Sequence, residues 1–116
     1  MLVPLTFKDA QGYPYEKDGA EVYYAKARGQ NCELYFEKGN PEIYGYPLKV
    51  FHQKVWETNF FRKLDRSLLV KICKVLKRKA RKALLANGTL LELSRKANKR
   101  LKYYLAKFRT SSSGQK

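Results

Sequence analysis

Acidic residues all but vanish after position 61. Residues 62–116 contain only two, Asp65 and Glu92, against 18 Lys/Arg, whereas residues 1–61 hold 8 Asp/Glu and 7 Lys/Arg. Other scarcities narrow the function classes. Two cysteines, Cys32 and Cys73, cannot build a disulfide framework, and one histidine, His52, leaves no zinc set. Both cysteines are expected to pack as small apolar side chains. No apolar run approaches the ~20 residues needed to cross a bilayer, and Met1-Leu-Val-Pro4 lacks the layout of a secretory leader. The expectation is a soluble, cytoplasmic protein without membrane association. His52 has no Ser or Cys at a recognisable catalytic spacing, and the acids are scattered rather than paired, which argues against an enzyme and offers no cofactor or metal site.

What is present is enough for one core. A chain of 116 residues, 44% hydrophobic and 14% aromatic, suits a single globular domain. Nine Tyr and six Phe tilt the expectation toward strands, where aromatics pack well on a pleated surface.

Along the chain, residues 3–7 read as a first strand with Pro4 at its start. Gly12, Pro14, Asp18 and Gly19 mark a turn-rich stretch with a brief extended piece at 13–15. Residues 21–27 and 32–37 read as a hairpin around Arg28-Gly29-Gln30-Asn31. From Pro47 the period changes: Leu48, Phe51 or His52, Val55 and Trp56 predict a helix of about ten residues, with an exit beginning at Asn59.

Residues 66–86 are ambiguous. Leu69, Ile72, Cys73, Leu76, Ala80, Ala83 and Leu84 fit a 3.6-residue period, and propensity alone describes a basic amphipathic helix. Against it, Asn87-Gly88 between two apolar runs signals a hairpin with a type I′ turn. A strand ending there would make residues 77–82 a connection. Beyond Arg95, Leu101, Tyr104, Leu105 and Phe108 share a helical face, which reads as a closing helix or a mixed terminal element. The domain is expected over residues 1–109, with a flexible Ser/Gly-rich tail at 110–116.

The charge asymmetry points to a polyanion. A net of +16 in one half and −1 in the other concentrates the positive field, and each phosphate it neutralises releases counterions and strengthens binding. A merely solubilising surface usually mixes both signs.

Three segments then resemble one family, the LytTR-type DNA-binding domain of bacterial response regulators. Phe61-Arg-Lys-Leu-Asp-Arg-Ser-Leu-Leu-Val-Lys71 follows that family's central pattern Phe-x-Arg-Ile-His-Arg-Ser-x-Leu-Val-Asn. Residues 85–95, with their Asn-Gly turn and closing Ser-Arg, are similar to its C-terminal signature, and residues 24–31 to an upstream one. The resemblance spans roughly residues 3–108. Lys63 stands where the family has Arg, Asp65 where it has His, Lys71 where it has Asn and Lys26 where it has Glu.

The resemblance implies a mostly β fold: an elongated domain of short antiparallel sheets with one small helix, to which the residue pattern adds the open choice of a C-terminal helix. It overrules the helical reading of 69–76 and 83–93. It also implies a transcription regulator, or a competitor for regulator sites, in which loops reach into successive major grooves of bent double-stranded DNA at direct-repeat sites, as a homodimer on DNA. A stand-alone domain without a receiver is the expectation, with control from abundance, a partner or site competition. By position, Gln30, Asn31, Arg66 and Arg95 would contact bases. The chemistry suits them, since Arg can donate two bonds to guanine and Gln or Asn can pair with adenine. Lys63, Lys71, Lys77, Arg78, Lys79 and Lys96 would hold phosphates.

The alternative is a basic RNA-binding or ribosome-associated protein stacking bases on Tyr103, Tyr104 and Phe108. A third reading, attachment to a membrane surface, requires residues 69–84 to be helical.

Overall fold

The β3–β4 hairpin (Val22–Arg28 and Asn31–Phe36) is the spine on which the other elements are laid. A computed structural model describes residues 3–56 and 60–113. In chain order the remaining elements are β1 (Pro4–Lys8), β2 (Pro14–Asp18), β5 (Glu42–Tyr44), α1 (Leu48–Val55), β6 (Phe61–Asp65), β7 (Leu68–Lys71), β8 (Val75–Lys79), β9 (Lys82–Leu85), β10 (Leu90–Glu92) and α2 (Arg95–Ser113). Every strand pairing is antiparallel. A five-stranded sheet has the order β5-β4-β3-β7-β6, β8–β10 form a three-stranded sheet, and β1–β2 form a separate hairpin. The fold is mostly β and elongated, 47 × 31 × 24 Å.

The central sheet divides the interior in two. One core, under β1–β2 and α1, contains Leu5, Phe7, Val22, Ala25, Leu34, Phe51, Val55, Phe61 and Leu69. The other, under β8–β10 and α2, contains Tyr23, Tyr24, Leu64, Val70, Leu85, Leu91, Ala97, Leu101 and Leu105. A strand covered on both faces must be apolar on both, which is why β3 opens with the unbroken run Val22-Tyr-Tyr-Ala25 instead of alternating. Each fully buried Leu or Phe contributes about 1.5–3 kcal/mol. Burial fixes the sheet's place; its ends remain in solvent.

The local elements follow their sequence cues closely. The β3–β4 turn is two residues long, with Gly29 at φ 61° in the first central position, as type II′ turns require. α1 starts directly after Pro47 and buries Leu48, Phe51 and Val55. Its exit at Asn59 lies outside the described residues.

Residues 69–84 do not form the amphipathic helix that their 3.6-residue period allowed. β7 lies between β3 and β6, and Leu68, Leu69 and Val70 are all buried there, which no single helical face could achieve. Leu76, on that supposed apolar face, is 57% exposed. With the helix gone, so is the basis for the membrane-surface reading. No helix among the described residues is long and apolar enough to span a membrane.

The run 77–82 is not a loose connection either. Lys79 pairs with Lys82 across a two-residue turn at Ala80-Arg81, with Ala80 held at φ 56°. The Asn87-Gly88 hairpin is present, but its turn is not type I′. Gly88 alone has positive φ (91°), its N–H reaches the Leu85 carbonyl at 2.9 Å, and Leu85 N–H reaches Thr89 O at 2.9 Å. The result is a three-residue loop with glycine in the left-handed position. α2 continues to Ser113, past the point where composition marks a tail. Residues 114–116 lie outside the described residues.

Cys32 is fully buried and its thiol is pushed up to about 11 by burial, which makes it inert packing. Cys73 is only half-buried.

Candidate nucleic-acid interface

Antiparallel pairing brings turns that are far apart in sequence to one end of the molecule. β3 runs toward the Gly29-Gln30 turn, and its last paired residues face the start of β7, so the Asp65-Arg66-Ser67 turn lies beside it. The Ala27 N–H donates to the Ser67 carbonyl at 2.8 Å and ties the two turns together. Gln30, Asn31 and Arg66 are all exposed there.

A second strap joins that end to the start of α2. The Ser94 hydroxyl donates to Asp65 Oδ2 at 2.9 Å and accepts the Ala97 N–H at 3.1 Å, which makes Ser94 the N-cap of α2. Arg95 is thereby held beside the turn that carries Arg66. Asp65 Oδ1 accepts the Ser67 N–H at 2.9 Å and the Ser67 hydroxyl at 3.3 Å. Partial burial alone would raise the Asp65 carboxyl, but the hydrogen bonds from Ser67, Ser94 and the Leu68 N–H outweigh it and hold the carboxyl below its usual range. Asp65 therefore stays ionised at neutral pH, and serines satisfy it.

The β8–β9 turn completes the cluster. The Arg81 side chain donates to the Leu93 carbonyl at 3.1 Å, and the Leu93 N–H returns a 2.8 Å bond to Arg81 O. Arg78 donates to Asn98 Oδ1 on α2 at 3.0 Å and to Ala80 O at 3.1 Å. The first turn of α2 contains no acid, and Arg95 and Lys96 stand at the helix's positive end. Cations there oppose the helix dipole at a cost of about 0.3–1 kcal/mol each. Such a local violation is common where a surface serves a ligand.

Of the residues singled out from sequence, Gln30, Asn31, Arg66 and Arg95 share this end, with Arg78 and the exposed Lys96 alongside. Lys63 is exposed on β6, opposite Leu69 and on the side of α1. Lys71 sits at the other end of β7, where its ammonium donates to the Ala20 carbonyl at 2.6 Å. Lys77 and Lys79 project from the outer face of the β8–β10 sheet. The Asp65–Ser94 strap has one local signal in the sequence: Ser94 stands three residues before the buried helix position Ala97. At the β3–β4 end, Arg28 is paired with Glu33 at 2.8 Å, and Lys26 lies over the stacked rings of Tyr24 and Tyr35 at 6.0 and 5.8 Å.

The aromatic trio expected for RNA stacking is mostly occupied. Phe108 packs edge-on against Phe60 at 6.0 Å and Tyr104 is half-buried, leaving Tyr103 exposed with Lys107 over its ring. Among the described residues no three His, Cys, Asp or Glu side chains converge as metal ligands would.

No protein-family model and no curated protein matches the chain. A solved structure does: the chain described as the LytTr DNA-binding domain of a methyl-accepting/DNA response regulator from Bacillus cereus, with a TM-score of 0.64 over 89% of this chain and 95% of that one, at 16% identity. The fold is that of a LytTr DNA-binding domain. At this identity the similarity lies in the path of the backbone, so the functional residues must be argued from their own chemistry. In this LytTr fold the candidate residues Gln30, Asn31, Arg66 and Arg95 lie at one end of the central sheet, where a side chain can change without disturbing either core.

Proposed function

We propose that this protein is a sequence-specific double-stranded DNA-binding regulator. Its base-reading groups are Arg66, Arg95 and the Gln30-Asn31 turn, presented together at one end of the central sheet. The observation that carries the reading is the pair of straps, Ala27 N–H to Ser67 O and Ser94 Oγ to Asp65 Oδ2, which hold three exposed polar turns as one surface. Hydrogen-bonding groups on rigid supports can discriminate base edges, whereas lysines on mobile stems supply only affinity. Arg78, Arg81, Lys96 and Lys63 surround this surface and would contact phosphates. The exposed start of α2 adds its dipole to their field. Reading successive major grooves through loops, on direct-repeat sites with two copies bound, is the arrangement this reading favours.

The test is selection of bound DNA from a random duplex library at physiological salt, with single-stranded RNA as competitor. A short recovered motif, with Arg66→Ala and Arg95→Ala each weakening it by about 1–3 kcal/mol and relaxing base preference, supports the assignment. Length-dependent binding without a motif, equally displaced by RNA, refutes it.

A further inference from the structure

Among the described residues, the β8–β10 sheet buries one face in the second core and leaves the other uncovered. Pair register defines the outer face. Lys77, Leu84 and Leu90 stand side by side in one row, and Lys79, Lys82 and Glu92 in the next. Leu90 is 62% exposed and Leu84 half-buried, and together with the stems of Lys77, Lys79 and Lys82 they line a depression of about 340 Å³. The depression has an apolar floor and a rim of three ammonium groups.

We propose that this face docks an acidic amphipathic helix of a partner protein. Leu84 and Leu90 would receive two apolar side chains one helical turn apart, and Lys77, Lys79 and Lys82 would meet carboxylates flanking them. The floor discriminates among anionic partners. A phosphate backbone gains nothing from two leucines, so duplex DNA leaves the apolar part of the site unused. A second copy of the chain carries the same +15 charge and is repelled. Vesicles are the rival anionic surface, and the experiment sets them against the peptide. An acidic helix satisfies both components, with helix-in-groove docking supplying apolar anchors at i and i+3 or i+4. The face belongs to a different sheet from the turns that carry Arg66 and Gln30 and meets that end only at the β8–β9 turn. The inference does not depend on the DNA reading.

The experiment uses the full chain and a fluorescein-labelled 18-residue helical peptide of Leu, Ala and Glu, with leucines confined to one face. The controls are the same composition with leucines scattered around the helix, poly-glutamate of equal length, and vesicles containing phosphatidylglycerol. The double variant Leu84→Ser/Leu90→Ser is compared with wild type, with circular dichroism to show that it folds and binding to the selected duplex, or to a generic one if no motif emerges, measured in parallel. The facially amphipathic peptide is expected to bind at least about tenfold more tightly than either control peptide. The double variant should lose that preference while keeping its duplex affinity. Should the variant unfold, Leu90→Gln alone, at the most exposed position, must reduce the preference severalfold. Equal binding of all acidic peptides, an unaltered preference in the variants, or tighter binding to vesicles than to the peptide that the same variants abolish would each overturn the proposal. Loss of sequence-specific DNA binding by wild type would refute the DNA reading and leave this result standing.

Discussion

The Ser94 hydroxyl hydrogen-bonds the Arg66 turn to the start of the helix that begins at Arg95, so its removal tests both stability and the assembly of the interface. Ser94→Ala eliminates the α2 N-cap bond to the Ala97 N–H, worth about 1 kcal/mol. It also eliminates the 2.9 Å bond to the Asp65 carboxylate. A hydrogen bond to a charged group contributes about 1.5–3 kcal/mol, but this pair faces solvent, so about 1 kcal/mol is the appropriate figure. The expected total is about 2 kcal/mol, a large part of the stability of a domain this size, with Tm lower by roughly 10 °C. Urea unfolding followed by circular dichroism measures it. Binding supplies the sharper readout. Residues joined through a shared network couple, so Arg66→Ala and Arg95→Ala should show an interaction energy of about 1 kcal/mol at the specific DNA site. In the Ser94→Ala background that coupling should fall toward zero, and Ser94→Thr, which keeps the hydroxyl, should restore it. A stability loss below about 0.5 kcal/mol together with unchanged coupling would refute the strap argument.

Three further outcomes follow from particular residues. The carboxyls of Asp18, Glu42 and Asp65 are all held low, because hydrogen bonds from their neighbours overcome the opposing effect of burial. Their contribution is therefore complete above the ordinary carboxylate value of about 4 and is lost as the pH falls below it, and Asp65→Asn should flatten that acid limb in a pH series of unfolding curves. His52 has its Nε2 buried with no partner among the described residues, and burial, then Lys63 and Arg62, push its pKa down. Unfolding takes up a proton there as pH falls below about 6.5, so His52→Leu should stabilise the fold by about 1 kcal/mol at pH 5 and by less at pH 8; equal effects at both would contradict the assignment. Ala80 at φ 56° occupies a conformation costing an L-residue about 1–2 kcal/mol, part of which glycine returns as chain entropy. Ala80→Gly should raise stability by about 0.5–1 kcal/mol, and a destabilised variant would contradict the strain.

The places where sequence reasoning lost the chain are instructive. The β8–β9 turn was invisible because Ala80-Arg81 contains no Gly, Asn, Asp or Pro, and the paired strands impose the left-handed conformation on an alanine. The short β5 strand carried no usable period of its own, and it exists because Cys32, Glu33 and Leu34 on β4 offer it an edge. For residues 69–84 a helical period competed with the Asn-Gly turn signal, and burial of β7 on both faces decided against the helix. The Asn87-Gly88 hairpin, the β3–β4 hairpin and α1 were legible because each is specified locally, by turn chemistry or by the change of period at Pro47.

The sequence by itself determined the composition of the two halves, the positions of most turns and the mostly β character that the motif resemblance implied. These are properties of neighbouring residues and need no partner at a distance. What tertiary structure alone decided is which turns meet. Gln30, Arg66 and Arg95 are separated by tens of residues, and only the order β4-β3-β7-β6 with the Asp65–Ser94 bond puts them at one end. The same register turns Lys71 inward to the Ala20 carbonyl, while Lys77 and Lys79 stay outward beside two exposed leucines. Charge can be counted along a chain, but whether a cation is free for a ligand depends on what the fold places within hydrogen-bonding reach.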